Sequence, residues 1–171
     1  MASETGYSSP SKAIIRPGAL GDLDDINRLL LVLDENPSLN TPTTFVAEIG
    51  GRVQGCASVY VGITFGWLAN VVIDRPLRRS GIGTRLVEAC VDRALDRRLP
   101  VIWLETMFWN RRFYERLGFN FVPIREVPGL VRSRRRNPKC LMMRADLRAR
   151  LHTKTPPAAM QPRASVVVEA L

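Results

Sequence analysis

Seven consecutive residues, Arg78-Arg79-Ser80-Gly81-Ile82-Gly83-Thr84, combine what an anion needs, uncovered amide donors and fixed positive charge. Gly81 and Gly83 let the backbone turn tightly and leave N–H groups open. A helix following such a turn adds its unpaired first-turn amides and the positive end of its dipole. Arg78 and Arg79 place guanidinium groups beside it. The chemistry on offer is phosphate binding. Two other phosphate loops are excluded by inspection. A dinucleotide fingerprint needs a third glycine where Leu86 stands, and a Walker loop needs a Gly-Lys-Ser/Thr triplet that the chain lacks. What remains is Arg-x-x-Gly-x-Gly, a pattern that an ordinary tight strand-to-helix turn would also use.

The elements that must position this loop are legible on both sides. Ala13 to Arg16 reads as a short strand closed by Pro17 and Gly18. Asp22, Asp24 and Asp25 gather at the start of a helix from about Asp22 to Leu33, with Leu23, Ile26, Leu30 and Leu33 at helical spacing. Residues 34–43, with Pro37 and Pro42, form an irregular stretch. A hairpin follows, in which Phe45, Ala47 and Ile49 alternate, Gly50-Gly51 turns, and Val53, Gly55, Ala57, Val59 and Val61 alternate in return. A third strand, Trp67 to Ile73, leads to the loop and is broken by Arg75-Pro76. From Gly83 the period becomes helical, with Leu86, Val87, Cys90, Val91, Ala94 and Leu95 on one stripe as far as Pro100. Val101 to Leu104 reads as a buried strand. A small helix from Arg111 to Leu117 takes Asn110 as N-cap and Gly118 past its end. Phe119 to Val122 and Cys140 to Met143 are the last strands, around an arginine-rich loop. The order predicts one mixed α/β domain over residues 13–147. Residues 1–12 read as a flexible polar leader, and residues 148–171 as a mostly disordered tail. Val166-Val167-Val168 within it could dock as an edge strand.

Composition narrows the class. A chain of 171 residues fits one domain, and 46% hydrophobic with 24% charged residues is ordinary for a globular protein. No apolar run approaches the ~20 residues of a membrane span. The first twelve residues, with Glu4 and several serines, lack the apolar core of a signal peptide. Cys56, Cys90 and Cys140 are odd in number and far apart, which favours free thiols in a reducing, cytoplasmic setting. One histidine, His152, cannot build a metal centre on a histidine cluster, so no metal is expected. Charge is uneven: residues 1–74 carry 4 basic and 8 acidic groups, residues 75–171 carry 21 and 8. Only Lys12, Lys139 and Lys154 are lysines. The arginine excess suits phosphate or carboxylate, and arginine-heavy coding explains it equally well.

A second motif lies downstream. Tyr114 stands 31 residues after Gly83, within Phe113-Tyr114-Glu115-Arg116-Leu117-Gly118-Phe119. Arg-x-x-Gly-x-Gly after a strand, followed at this spacing by Phe-Tyr-Glu-x-Leu-Gly-Phe, resembles the GNAT superfamily of acyl-CoA N-acyltransferases. The resemblance covers about Ile14 to Leu147. It implies a single mixed, mostly antiparallel sheet with a central splay, flanked by helices. It also implies acetyl-CoA as cosubstrate, with the acyl-CoA diphosphate on the amides and side chains of Arg78, Arg79, Ser80, Gly81, Ile82, Gly83 and Thr84. The pantetheine arm would run along the main chain of Val71, Val72 and Ile73. Tyr114 would serve the leaving thiolate. A thiol near pKa ~8.5 is a fair leaving group, and a phenol near ~10 can hydrogen-bond its sulfur as charge develops. Beside Phe113 and Phe119, Tyr114 also has a plain packing reading.

The sequence departs from the family pattern in two places. Many relatives carry a glutamate near the middle of the strand before the loop, where this chain has Ala69. An ammonium near pKa ~10.4 must lose a proton before it attacks. That assigns the base to Glu105, at the end of the next strand, or to a water chain; Glu105 reads equally as a salt-bridged strand end. Asn110 sits closer to Tyr114 than in many relatives, which leaves its contact with the cosubstrate open.

The leading reading is acetyl transfer to a small amine, met by residues Asp34 to Thr43, Tyr60, Trp67 and the loop 123–139. A second has aminoacyl-tRNA or another macromolecule as acceptor, with Arg132, Arg134, Arg135 and Arg136 as a nucleic-acid footprint. No aromatic series or zinc motif supports base recognition, so nucleic acid is not the expected partner. A third is an inactive acyl-CoA sensor, resting on Ala69. Neither a membrane partner nor a signal for one is expected, and a homodimer is left open.

Overall fold

Alternating apolar residues between glycine turns favour strands, and one long 3.6-period stripe favours a covering helix. The structure, a computed structural model, describes residues 13–31 and 43–153. Its strands are β1 (Ile14–Pro17), β2 (Thr43–Ile49), β3 (Arg52–Val61), β4 (Gly66–Ile73), β5 (Val101–Thr106), β6 (Asn120–Val122) and β7 (Leu141–Asp146). They form one sheet in the order β1-β2-β3-β4-β5-β7-β6. Neighbours are antiparallel except β4 and β5. That parallel pair is joined by a helical crossover, as parallel neighbours must be. It is in register only at Gly66↔Ile102 and Trp67↔Trp103, after which the two strands part. This is the mixed, mostly antiparallel sheet with a central splay.

Two long helices cover opposite faces. The crossover helix α2 (Ile82–Asp96) buries Leu86, Val87, Cys90, Val91, Ala94 and Leu95, the stripe read from the sequence. These pack on Ala57, Val59, Leu68, Ile102 and Leu104. At ~1.5–3 kcal/mol for each large aliphatic side chain, this layer is the main stabilising face. Helix α1 (Leu23–Leu31) opens with Asp24 and Asp25 and buries Ile26, Leu29 and Leu30 on Val46, Val53, Cys56 and Val72. A third cluster, Phe65, Trp67, Trp103, Val122, Val127, Val131 and Met142, fills the side of β5 and β7 away from α2. No helix among the described residues is long and apolar enough to cross a membrane.

Several expectations are corrected. Val53 does not share a face with Ala57 and Val59 but joins the α1 cluster. The cause is a bulge: the register passes from Ala47↔Gly55 to Glu48↔Val53, so Gln54 is extra and flips the alternation. The strand expected over Cys140 to Met143 runs Leu141–Asp146, because β7 pairs with the whole of β5, from Thr106↔Leu141 to Val101↔Asp146. The arginine-rich connection holds a short helix, α4 (Gly129–Arg132), that buries Val131. The tail assigned to 148–171 begins as a helix, α5 (Arg148–Thr153). Asp146 accepts the Arg148 amide at 3.0 Å at its start, Leu147 is buried, and Leu151 packs on the main core. The leader 1–12, most of the 34–43 stretch and the tail from Lys154, with Val166-Val167-Val168, lie outside the described residues.

Candidate active site

A second bulge shapes the strand that leads to the glycine loop. Between Cys56↔Val72 and Ser58↔Ala69 the pairing gains one residue on β4, and Asn70 takes φ 56. Beyond it Val71 and Ile73 pack on the α2 layer, and Val72 sits in the α1 cluster. Past Trp67, β4 has no register partner on β5. Its exit is fixed by Asp74, whose amide donates to the Gln54 carbonyl at 2.8 Å and whose carboxylate takes Arg28 Nη1 at 3.1 Å.

After a 3₁₀ turn at Arg75–Leu77, Arg79 and Gly81 take φ 67 and 84. Gly81 is the N-cap of α2, in open space, so its glycine serves the left-handed backbone. The first paired helical amide is that of Arg85, to the Gly81 carbonyl at 3.2 Å. The amides of Ile82, Gly83 and Thr84 therefore lack acceptors among the described residues, as at any uncapped helix start. Ser80 Oγ donates back to the Leu77 carbonyl at 2.6 Å. Arg78 and Arg79 are exposed, and Arg78 Nε donates to the Ile73 carbonyl at 3.3 Å. Gly83 has a different reason from Gly81. A Cβ there would lie 3.0 Å from Ile73 Cδ1 and 3.4 Å from Phe113 Cζ. The missing side chain lets the end of β4, the start of α2 and the second motif touch.

That second motif forms α3 (Arg111–Glu115), shorter than the expected 111–117. Gly118 closes it at φ 86. Tyr114 is 8% exposed, edge-to-face with Phe113 at 4.9 Å and with Phe119 at 5.9 Å. Its hydroxyl has no hydrogen-bond partner among the described residues. Burial, with Cys90 nearby, pushes the phenol above its ordinary range, so it is a neutral donor at neutral pH. Cys90 is likewise held as a neutral thiol by burial.

The other candidates stand apart from this group. Glu105, half-buried on β5, accepts the Arg136 amide at 3.0 and 3.1 Å and the Asn137 amide at 3.4 Å. Its carboxylate thus ties down the β6–β7 connection. Nothing local in the sequence marks this tie, whose partners are 31 and 32 residues away. The same connection is folded on itself by Arg135, whose Nη2 donates to the Pro138 and Cys140 carbonyls. Asn110 occupies the N-cap position of α3, but its side chain makes no capping bond. Trp67 is buried in the third cluster with Tyr60 packed half-buried beside it, so neither forms an open wall.

Comparison with known proteins gives one family. A family model described as the acetyltransferase (GNAT) family matches residues 20–119. The ribosomal protein bS18-alanine N-acetyltransferase of Escherichia coli is 32% identical over 78 residues, 44% of this chain and 53% of that protein. The chain spans about half the length of the curated relatives it matches. A GNAT-family acetyltransferase from Staphylococcus aureus superposes with a TM-score of 0.67 at 15% identity, over 79% of this chain and 99% of that one. The N-acetylglutamate synthase of Neisseria gonorrhoeae, complexed with coenzyme A and N-acetyl-glutamate, gives 0.65 at 22% identity, over 82% and 36%.

Proposed function

The chain belongs to the acetyltransferase (GNAT) family, and on that premise we propose that it moves an acetyl group from acetyl-CoA to an amine. The observation that carries this reading is the splay. β4 leaves β5 after one short stretch of register and runs straight into a left-handed glycine and a row of unpaired helix-start amides. A long thioester with a diphosphate needs such a slot with such an end.

In this reading the amides of Gly81, Ile82, Gly83 and Thr84 hold the diphosphate, with Ser80 in the turn and Arg78 and Arg79 neutralising charge. The free edge of β4 at Val71, Val72 and Ile73 carries the pantetheine amides. The amine nitrogen attacks the thioester carbonyl carbon, a C–N bond forms, the C–S bond breaks, and thiolate departs. Tyr114 donates a hydrogen bond to that sulfur. Because its phenol is less acidic than the thiol, it stabilises the departing charge without surrendering its proton. The ammonium proton passes to Glu105 through water, and the same carboxylate keeps the β6–β7 connection in place. Asn110, at the N-cap position of α3, is left without a cosubstrate contact in this reading.

The acceptor proposed is a small amine. A second reading, an amine at the start of a protein chain, is favoured by the curated relatives, whose names specify an alanine of ribosomal protein bS18. Thiol release from acetyl-CoA, assayed with amines, amino acids and polyamines against a peptide with N-terminal alanine, separates the two. Turnover with small amines and none with the peptide supports the first, and the reverse supports the second. Release with neither, despite acetyl-CoA binding, would leave a sensor.

A further inference from the structure

We propose that the half-open cleft between α4, the starts of β4 and β5 and the end of β7 is a second binding site. Its ligand is a small organic anion with an apolar body, a single ring bearing a carboxylate. The cleft holds about 240 Å³. That is below the ~300–1,000 Å³ of sites for drug-sized ligands, so the occupant is of one-ring size. Its lining is mixed: Phe65, Val101 and Trp103 from the sheet and Leu130 and Val131 from α4 give an apolar side, and Arg144, Asp146 and Arg148 a charged one.

The rim decides the sign of the ligand. Arg144 lies 5.9 Å over the Trp103 ring and Arg134 5.8 Å over the Phe65 ring. Neither guanidinium has a carboxylate partner among the described residues. The acid that lines the cleft, Asp146, is already committed: it accepts the Arg148 amide at 3.0 Å and pairs with Arg148 Nη1 at 3.1 Å. With the local acid spent, Arg144 on the lining and Arg134 beside Phe65 select an anion whose apolar body lies against Val101 and Leu130, over a floor made by the buried Phe65 and Trp103. A guanidinium matches a carboxylate with two parallel bonds, which a lysine could not.

The cleft is not the acyl-CoA slot. β4 has eight residues, so at ~3.3 Å per residue Phe65 lies about 25 Å along the strand from the glycine loop. Phe65 and Trp103 also belong to the cluster opposite α2 and Tyr114. The proposal therefore stands independently of acetyl transfer.

The test uses the whole chain, titrated with phenylacetate and with its neutral isostere phenylacetamide, followed by tryptophan fluorescence and calorimetry. Phenylacetate is expected to bind saturably, in the range of about 1 mM or tighter, and the amide at least about tenfold more weakly. Arg144→Gln, an exposed change, is expected to weaken phenylacetate at least about tenfold, leaving the melting temperature and the acetyl-CoA response as in the wild type. Arg134→Gln gives an independent second reading of the same loss. No saturable binding, equal binding of acid and amide, or full affinity in both arginine variants would overturn the site. Displacement of phenylacetate by acetyl-CoA would overturn its separateness. Loss of the acetyl-CoA response alone would instead sink the transferase reading.

Discussion

At the scale of single residues, the proposed mechanism turns on Tyr114, whose ring packs edge-to-face on Phe113 and Phe119 and whose hydroxyl has no hydrogen-bond partner among the described residues. Removing that hydroxyl breaks no internal hydrogen bond, so Tyr114→Phe should leave the melting temperature within about 1–2 °C while turnover falls roughly 10²-fold. Unchanged turnover would return Tyr114 to a packing role. Glu105 needs a variant that splits two duties. Glu105→Gln keeps an acceptor oxygen for the Arg136 amide but cannot take a proton. If Glu105 accepts the proton, Glu105→Gln loses kcat with KM and thermal stability little changed. If Glu105 only anchors the connection, the variant keeps kcat and shifts KM and thermal stability. The two motifs were legible in the sequence because their residue types and spacing are local patterns. The Glu105 tie was not, since it joins one strand end to two amides in a loop that carries no pattern of its own.

Among the elements, the joint between β4, α2 and α3 is the one that a small change should disturb most. Both loop glycines are needed, for unrelated reasons. Gly81→Ala meets open space but must hold φ 84, a strain of about 1–2 kcal/mol. Gly83→Ala keeps an ordinary backbone but presses on Ile73 Cδ1 at 3.0 Å, and overpacking of this kind costs about 1–3 kcal/mol. The difference is testable by rescue. Adding Ile73→Val, which removes the Cδ1 atom, should restore most of the stability lost in Gly83→Ala and none of that lost in Gly81→Ala. Equal rescue of both, measured by denaturant unfolding, would contradict this assignment. The sequence predicts the α2 stripe except for Ile82 at its first position, because a 15-residue amphipathic helix repeats its signal at every turn. It misplaces Val53 because a single-residue bulge leaves no trace in an alternating strand. It misses α4 and α5 because helices of four and six residues carry too few turns to show a period.

For the whole molecule, an ion-pair cluster adds a pH-dependent part to the stability that the buried core supplies. Arg16 joins β1 to its neighbours by donating Nη1 and Nη2 to Asp22 at 2.7 and 2.8 Å and Nε to Glu48 at 2.8 Å. Those bonds from Arg16, followed by the Ala19 amide, hold the Asp22 carboxyl down from 3.8 to about 2. A lowered folded-state value means that the unfolded chain binds the proton first. The contribution of Asp22 is therefore complete above about pH 4 and fades as pH falls toward about 2. Asp22→Asn should accordingly be less stable than the wild type at pH 7, with the gap closing near pH 2; a gap independent of pH would contradict the pairing. The mixed, mostly antiparallel sheet and its splay were legible only through the family resemblance, and the strand order and the parallel β4–β5 pair only in the structure, since strand spacing does not say which strands pair. The central claim, that the amides opening α2 hold the diphosphate of an acyl-CoA, is tested most directly by melting curves with and without acetyl-CoA. Saturation at ~100-fold over Kd stabilises by about 2.7 kcal/mol, a rise of roughly 5–11 °C for a chain of this size. The wild type should show that rise, and a variant with Arg78→Glu and Arg79→Glu, both exposed, should melt as the wild type does alone but show none of it. An equal rise in both proteins, or no rise in the wild type, would contradict the claim.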